Sequence, residues 1–232
     1  RTLKDLYIDE EEADKLFFEI LTDSKENIEA TYVEGYWSDH FVYNLDLLEN
    51  FASIYPDEME RVLFDKKYKY FESPAIVNNR EERYCYLDNG NIRQYNAVSH
   101  LKKHVNQFKQ FDNGDEITST LLEKIIHLIL IKFTSLDYRQ VGLEMESERP
   151  GWNDAFNGLP GLLASSINES LELLRLIDFI IPYLKQYLDK DIELLSPIYH
   201  LYLGIEEKLK LLLKGHLSSF EYWDEINIIK EQ

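Results

Sequence analysis

The sequence predicts a mainly α fold with a small inserted β-hairpin. Three observations carry this. Apolar residues recur at helical spacing through most of the 232 residues. Where several of those runs begin, a short oxygen side chain stands three positions before a glutamate. One aromatic-rich stretch instead alternates on either side of Asn89-Gly90.

Taken in order, the first helix is expected over about 9–23, opened by Asp9 with Glu12 as its reciprocal cap. Helices follow at about 40–55 and 57–66. Residues 68–97 break the pattern: Tyr84-Cys85-Tyr86-Leu87-Asp88 leads to Asn89-Gly90, then Asn91-Ile92-Arg93-Gln94-Tyr95. A type I′ turn needs φ > 0 at both central residues, which Asn-Gly supplies, so a hairpin insertion is expected at about 82–97. A helix at 98–110 comes next. Thr120 with Glu123 then opens the most apolar run, Leu121–Phe133, a buried helix apolar nearly all round. Ser166 with Glu169 opens another, in which Leu173, Leu176, Ile177, Ile180, Ile181 and Leu184 line one face. Pro182 should kink that helix or end its regular ladder, because it lacks an N–H and crowds the preceding turn. Helices at about 191–214 and 218–230, the last opened by Ser218 with Glu221, complete the chain.

Charge excludes some functions. Forty-three Asp and Glu against 25 Lys and Arg give a net charge of −18. Nucleic-acid binders need a basic face, so no nucleic acid is expected as partner. An anionic membrane is equally unfavourable, and the Leu121–Phe133 run is shorter than the roughly 20 residues a span requires. The lone Cys85 rules out an internal disulfide framework and a multi-cysteine zinc site, and points to a reducing, cytoplasmic setting. No apolar leader follows Arg1, so no signal peptide is expected. His100 and His104 have the spacing of a two-histidine metal face on a helix, but nothing nearby completes a ligand set, so no metal is expected.

Gly and Pro concentrate in one place: Gly142, Pro150, Gly151, Gly158, Pro160 and Gly161. They lie between two strong helical signals, which marks Val141–Gly161 as a long connecting loop, the kind of segment on which sites are built. It carries Glu144, Glu146, Glu148 and Asp154 beside Trp152, Asn153 and Asn157. Crowded carboxylates raise one another's pKa, which keeps one acid protonated near neutral pH. An aromatic face with polar neighbours also suits a sugar ring. The other reading of these residues is a solvated acidic loop anchored in the core by Trp152.

The run Arg149-Pro150-Gly151-Trp152-Asn153-Asp154-Ala155 resembles the Trp-Asn-Asp motif of glycoside phosphorylases of the cellobiose and chitobiose phosphorylase type. The wider stretch, Gly142-Leu143-Glu144-Met145-Glu146 through Gly158-Leu159-Pro160-Gly161-Leu162 and Ser165-Ser166, resembles large bacterial cellobiose phosphorylase-like proteins. Pro150-Gly151 stand where the family usually has Gly-Asp. A second stretch, Glu34-Gly35-Tyr36-Trp37-Ser38-Asp39-His40 leading into Asn44-Leu45-Asp46, resembles another loop of the same proteins. The resemblance thus covers residues 34–46 and 141–166. It implies a partial (α/α)6-toroid-like helical array, with 1–232 as a single helical domain that is a segment of a larger (α/α)6 catalytic domain. It implies Asp154 as general acid, and Trp152, Asn153, Glu144, Glu146, Trp37, Asp39 and His40 as substrate-binding residues. Read alone, Asp39 is equally a helix N-cap and Trp37 a packing anchor.

The implied activity is that of an inverting glycoside phosphorylase acting on β-glucosidic bonds. Its partner is an oligosaccharide, and its co-substrate is inorganic phosphate with no other cofactor. A hydrolase variant would use a second carboxylate, such as Glu144 or Glu146, to activate water. A non-catalytic glycan-binding or helical scaffold segment is the other class of function. The remaining chain of a larger polypeptide, or a second copy, is the protein partner these readings leave open.

Overall fold

The computed structural model describes residues 9–23, 41–72, 75–94, 98–100, 108–144 and 165–232. The chain divides into two compact units, residues 1–33 and 34–232. The first contains α1 (Glu10–Asp23), whose Glu12 amide donates to the Asp9 carboxylate at 3.0 Å as the sequence predicts. All other described elements belong to the second unit, which is mainly helical.

In that unit α2 (Phe41–Ile54) is followed by a 3₁₀ turn at Pro56–Glu58 and a π-helical turn at Arg61–Asp65. The helix expected at 57–66 is therefore a succession of tighter and wider turns. Next come β1 (Lys67–Lys69), β2 (Ala75–Val77), a 3₁₀ turn at Arg80–Arg83, β3 (Tyr84–Tyr86), β4 (Ile92–Gln94), β5 (Val98–His100) and β6 (Thr118–Thr120). The later elements are α3 (Leu121–Phe133), β7 (Leu143–Glu144), β8 (Ser165–Ser166), α4 (Ile167–Gln186), α5 (Ser196–Leu213) and α6 (Ser219–Glu231).

Among the described residues the strands form four antiparallel pairs, β1 with β6, β2 with β5, β3 with β4 and β7 with β8. The hairpin is β3–β4, with Tyr84 opposite Gln94 and Tyr86 opposite Ile92. Its turn differs from the expected type I′. Only Gly90 takes a positive φ, +80°, and its amide donates to Leu87 O at 2.8 Å. Leu87 N also donates to Asn91 O at 2.8 Å, which makes a three-residue loop with the glycine in the left-handed position. Asn89 uses its side chain rather than its backbone, accepting from Asn91 N at 3.0 Å.

The helix expected at 98–110 is corrected at both described ends. Val98–His100 pairs with β2, and Phe108 bridges to Phe71. His100 is thus on a strand, so the helical premise of the His100/His104 metal face does not hold there. His104 lies outside the described residues. Valine and phenylalanine suit a pleated ladder as well as a helix period, and a distant partner strand decided between them.

Helix α3 is the centre of the unit. Thr120 and Glu123 form a complete reciprocal cap at its start, as Ser218 and Glu221 do for α6. Ser166 makes no such bond, because its backbone is engaged in β8 and Glu169 is buried. Leu122 and Ile125 of α3 pack with Phe41, Val42 and Leu45 of α2, Met59, Leu63, and Leu176 and Ile180 of α4. Farther along, Leu130 joins Ile198, Leu201 and Ile205 of α5 and Tyr222 and Ile226 of α6 in a second cluster. Each fully buried aliphatic side chain contributes about 1.5–3 kcal/mol, so α3 is held from both ends. Helix α4 runs past Pro182 to Gln186, while α5 begins at Ser196 with Pro197 in its first turn, later than the expected 191. Between α2 and α4, the Arg175 guanidinium joins Asp46, Glu49 and Glu172. Among the described residues no helix is long and apolar enough to cross a membrane.

Candidate functional site

The candidate site is built where the chain leaves α3 and enters the Gly/Pro-rich stretch. Thr134 and Ser135 end the helix by turning their hydroxyls onto the carbonyls of Leu130 and Ile131. The chain then folds back on itself: Asp137 N donates to Gly142 O at 2.8 Å, and Glu144 N to Ser135 O at 2.8 Å. The Asp137 carboxylate accepts the amides of Arg139 (3.0 Å), Val141 (3.1 Å) and Gly142 (3.2 Å), an Asx-type turn held from within.

Across from this turn lies β8, where the chain returns. Ser165 Oγ donates to Asp137 Oδ2 at 2.6 Å, and β7 pairs with β8 through Leu143–Ser166 and Glu144–Ser165. Ser170 Oγ of α4 closes onto Val141 O at 2.7 Å. Gly142 is required by this approach: a Cβ there would stand 2.9 Å from Ser165 Oγ. Together these contacts make a neck that joins the two described ends flanking residues 145–164. Burial alone would raise the Asp137 carboxyl's pKa. The Ser165 hydroxyl, with the amides of Val141, Gly142 and Arg139, outweighs it and holds the group below the usual range.

Glu144 stands on the threshold of the neck, half-buried. The indole N–H of Trp223 on α6 donates to its Oε1 at 2.6 Å. Trp223 is in turn covered by the Arg80 guanidinium, 5.1 Å from its ring, and Arg80 is fixed by Asp224 at 2.8 Å. The Phe220 ring lies 5.5 Å from Trp223, and Tyr138 lies 6.4 Å beyond it, edge-on. A row of three aromatic rings therefore runs beside an oriented carboxylate. Gln140 adds strain to the same turn. It holds φ at 59°, and its buried Nε2 finds no partner among the described residues.

Of the catalytic and substrate-binding residues expected from the sequence, Glu144 alone lies among the described residues. Glu146, Trp152, Asn153 and Asp154, and Trp37, Asp39 and His40, lie outside the described residues. Asp137, Ser165 and Trp223 were missed as site residues. Asp137, five positions before Gly142, has an Asx-turn signal in sequence. Trp223 has none, since its bond to Glu144 spans 79 positions.

A separate cleft of about 220 Å³ is lined by Phe64, Asp65, Thr120, Leu122, Glu123, Lys190, Asp191 and Ile192. Its central charges are engaged in the fold: Glu123 accepts from Thr120 N and Glu193 N, and Lys190 pairs with Glu60 at 2.7 Å. Among the described residues no group of three or more His, Cys, Asp or Glu is placed to hold a metal. Comparison with known protein families and with curated proteins finds no match to the chain.

Proposed function

We propose that the chain is a carbohydrate-active segment working as inverting glycoside phosphorylases do, an arc of an (α/α)6 toroid with its site on residues 144–154. The observation that carries this reading is the neck. Both ends of the stretch bearing Trp152-Asn153-Asp154 are clamped by Asp137, Ser165 and the β7–β8 pair, and a carboxylate is oriented at its mouth by Trp223. An entry so fixed is what a site on a long segment needs, because catalytic geometry tolerates little looseness.

In this reading Asp154 gives its proton to the departing glycosidic oxygen. Inorganic phosphate attacks the anomeric carbon from the opposite face, the C–O bond to the leaving sugar breaks, and a sugar 1-phosphate of inverted configuration forms. The aromatic row and Trp152 would take the apolar face of the sugar, with Glu144 accepting from its hydroxyls.

The test is cleavage of β-linked glucosyl oligosaccharides with and without inorganic phosphate. Phosphate-dependent release of a sugar 1-phosphate supports the reading, and Asp154→Asn should lower turnover by roughly 10²–10⁴-fold while leaving sugar binding intact. Cleavage that ignores phosphate would transfer the role of base to Glu144, the carboxylate already held by an indole N–H, and make the chemistry hydrolytic. Binding without products under either condition would leave a glycan-binding segment. No binding at all overturns the proposal.

A further inference from the structure

Positive charge is distributed unevenly in this acidic chain. From Asn89 to Phe111, 23 residues carry Arg93, Lys102, Lys103, Lys109, His100 and His104 and no carboxylate. The described end of that stretch, Phe108–Phe111, packs beside β1, and Lys109 N donates to Tyr70 O at 2.8 Å. Tyr70 is a hub for further bases. The Lys124 ammonium lies 3.7 Å from its ring centroid and donates to Lys69 O at 2.5 Å, and the His127 ring lies 6.1 Å away. The Tyr70 hydroxyl is turned inward and donates to Ser119 Oγ at 2.9 Å. Lys109 is exposed, and Lys124 and His127 are half-buried, so the group opens to the surface.

Two of the nearby carboxylates are committed elsewhere, and a third, Glu72 just past Tyr70, has a buried oxygen with no partner among the described residues. Glu116 pairs with Lys69 at 2.8 Å, and Glu123 caps α3, receives Glu193 N and faces Lys67 at 3.7 Å. His127 feels this imbalance: burial, then the Lys124 ammonium, then the Lys109 ammonium hold its titration below the usual histidine range. Lys124 is itself held below the usual lysine range by burial. Like charges gathered in a half-buried place are costly unless something of opposite sign relieves them.

We infer that Lys109, Lys124 and His127 form a binding site for an oxyanion of the phosphate class, free or at the end of a monoester. Lys124 has two ammonium protons beyond the one given to Lys69 O, and exposed Lys109, whose backbone is bonded to Tyr70, brings a second ammonium. His127 supplies an N–H and gains a second when the anion draws a proton onto it. The site lies on β1, α3 and the Lys109 segment, away from the neck, and does not depend on the glycan reading.

The test is an NMR titration of the His127 ring in the full chain, in chloride and in inorganic phosphate at matched ionic strength. His127→Gln assigns the resonance. Phosphate should raise the His127 midpoint by about one pH unit. Lys109→Gln should weaken phosphate binding roughly tenfold, and Lys109→Gln with Lys124→Gln should remove it. A Lys210→Gln control, whose lysine pairs with Glu206 on α5, should leave it unchanged. Phenyl phosphate is the second arm: a stronger response to it assigns a monoester, and a stronger response to inorganic phosphate assigns the free ion. If the double variant does not fold, exposed Lys109→Gln alone decides. A His127 midpoint that is the same in chloride and phosphate, or a phosphate response that survives Lys109→Gln undiminished, overturns the inference.

Discussion

Replacing Asp137 by alanine removes four accepted hydrogen bonds from the neck at once: those from the amides of Arg139, Val141 and Gly142 and from the Ser165 hydroxyl. The first two amides are exposed enough to find water, so they count little. Gly142 is buried and Ser165 half-buried, and their donors would be left without an acceptor. At about 0.5–1.5 kcal/mol for each bond, weighted toward these two, the loss should be about 2–3 kcal/mol. Asp137→Asn keeps Oδ1 for Arg139 and Val141 but turns an amide NH₂ toward Gly142 N–H, and should cost about half as much. Urea unfolding followed by tryptophan fluorescence is a suitable assay, because Trp223 belongs to the same neck. The pH dependence follows from the lowered carboxyl. A group whose folded pKa lies below its unfolded value stabilises fully above the unfolded value, and that contribution disappears as pH falls through the folded one. The gap between parent and Asp137→Ala should therefore be constant above about pH 5 and close in acid. An alanine variant within about 0.5 kcal/mol of the parent at neutral pH, or a gap that widens in acid, would refute the reasoning.

Three further expectations follow from geometry. Gly204→Ala gains about 1 kcal/mol of helix propensity but places a Cβ 2.8 Å from Ile229 Cγ2, so it should destabilise by about 1 kcal/mol net; in an Ile229→Ala background the same change should become stabilising, as a double-mutant cycle in urea would measure. The Tyr222 hydroxyl is buried, finds no partner among the described residues, and has its pKa pushed up to about 12 by burial; Tyr222→Phe should raise stability by about 1 kcal/mol, and thermal unfolding would detect a loss instead if a partner exists. Gln140→Gly relieves a left-handed backbone at the neck and should be neutral or stabilising by up to about 1 kcal/mol, whereas Gly142→Ala, forced against Ser165, should destabilise; chemical denaturation of the two variants separates strain from packing.

Local signals were readable in the sequence where the information is local. The Thr120/Glu123 and Ser218/Glu221 caps, the run Leu121–Phe133 and the strip from Leu173 to Leu184 each lie within a few turns of one helix, and the structure follows them. The hairpin was legible because Asn89-Gly90 and its flanking aromatics are adjacent, although the choice between two turn types depended on whether one residue or two took φ > 0. The three-residue ladders β1–β6 and β2–β5 were not legible. Their partners are tens of residues apart, and a short stretch such as Val98–His100 carries too few positions to separate period 2 from period 3.6. The same limit applies to the site. Glu144 could be named from its acidic neighbourhood, but Trp223, which orients it, sits on the last helix. Tyr70, Lys109 and the two bases of α3 likewise come from three separate parts of the chain.

The neck also bears on how this protein can change over time. The strands that flank residues 145–164 are hydrogen-bonded to each other, so the two ends stay together whatever lies between them. Closing a chain between fixed ends costs little more as it lengthens, about 0.6 kcal/mol for each doubling. Changes of length between the two strands therefore cost little in closure entropy as long as the β7–β8 pair holds. Such a joint fixes the two ends of the segment through Asp137, Ser165 and the β7–β8 pair, independently of the sequence between them.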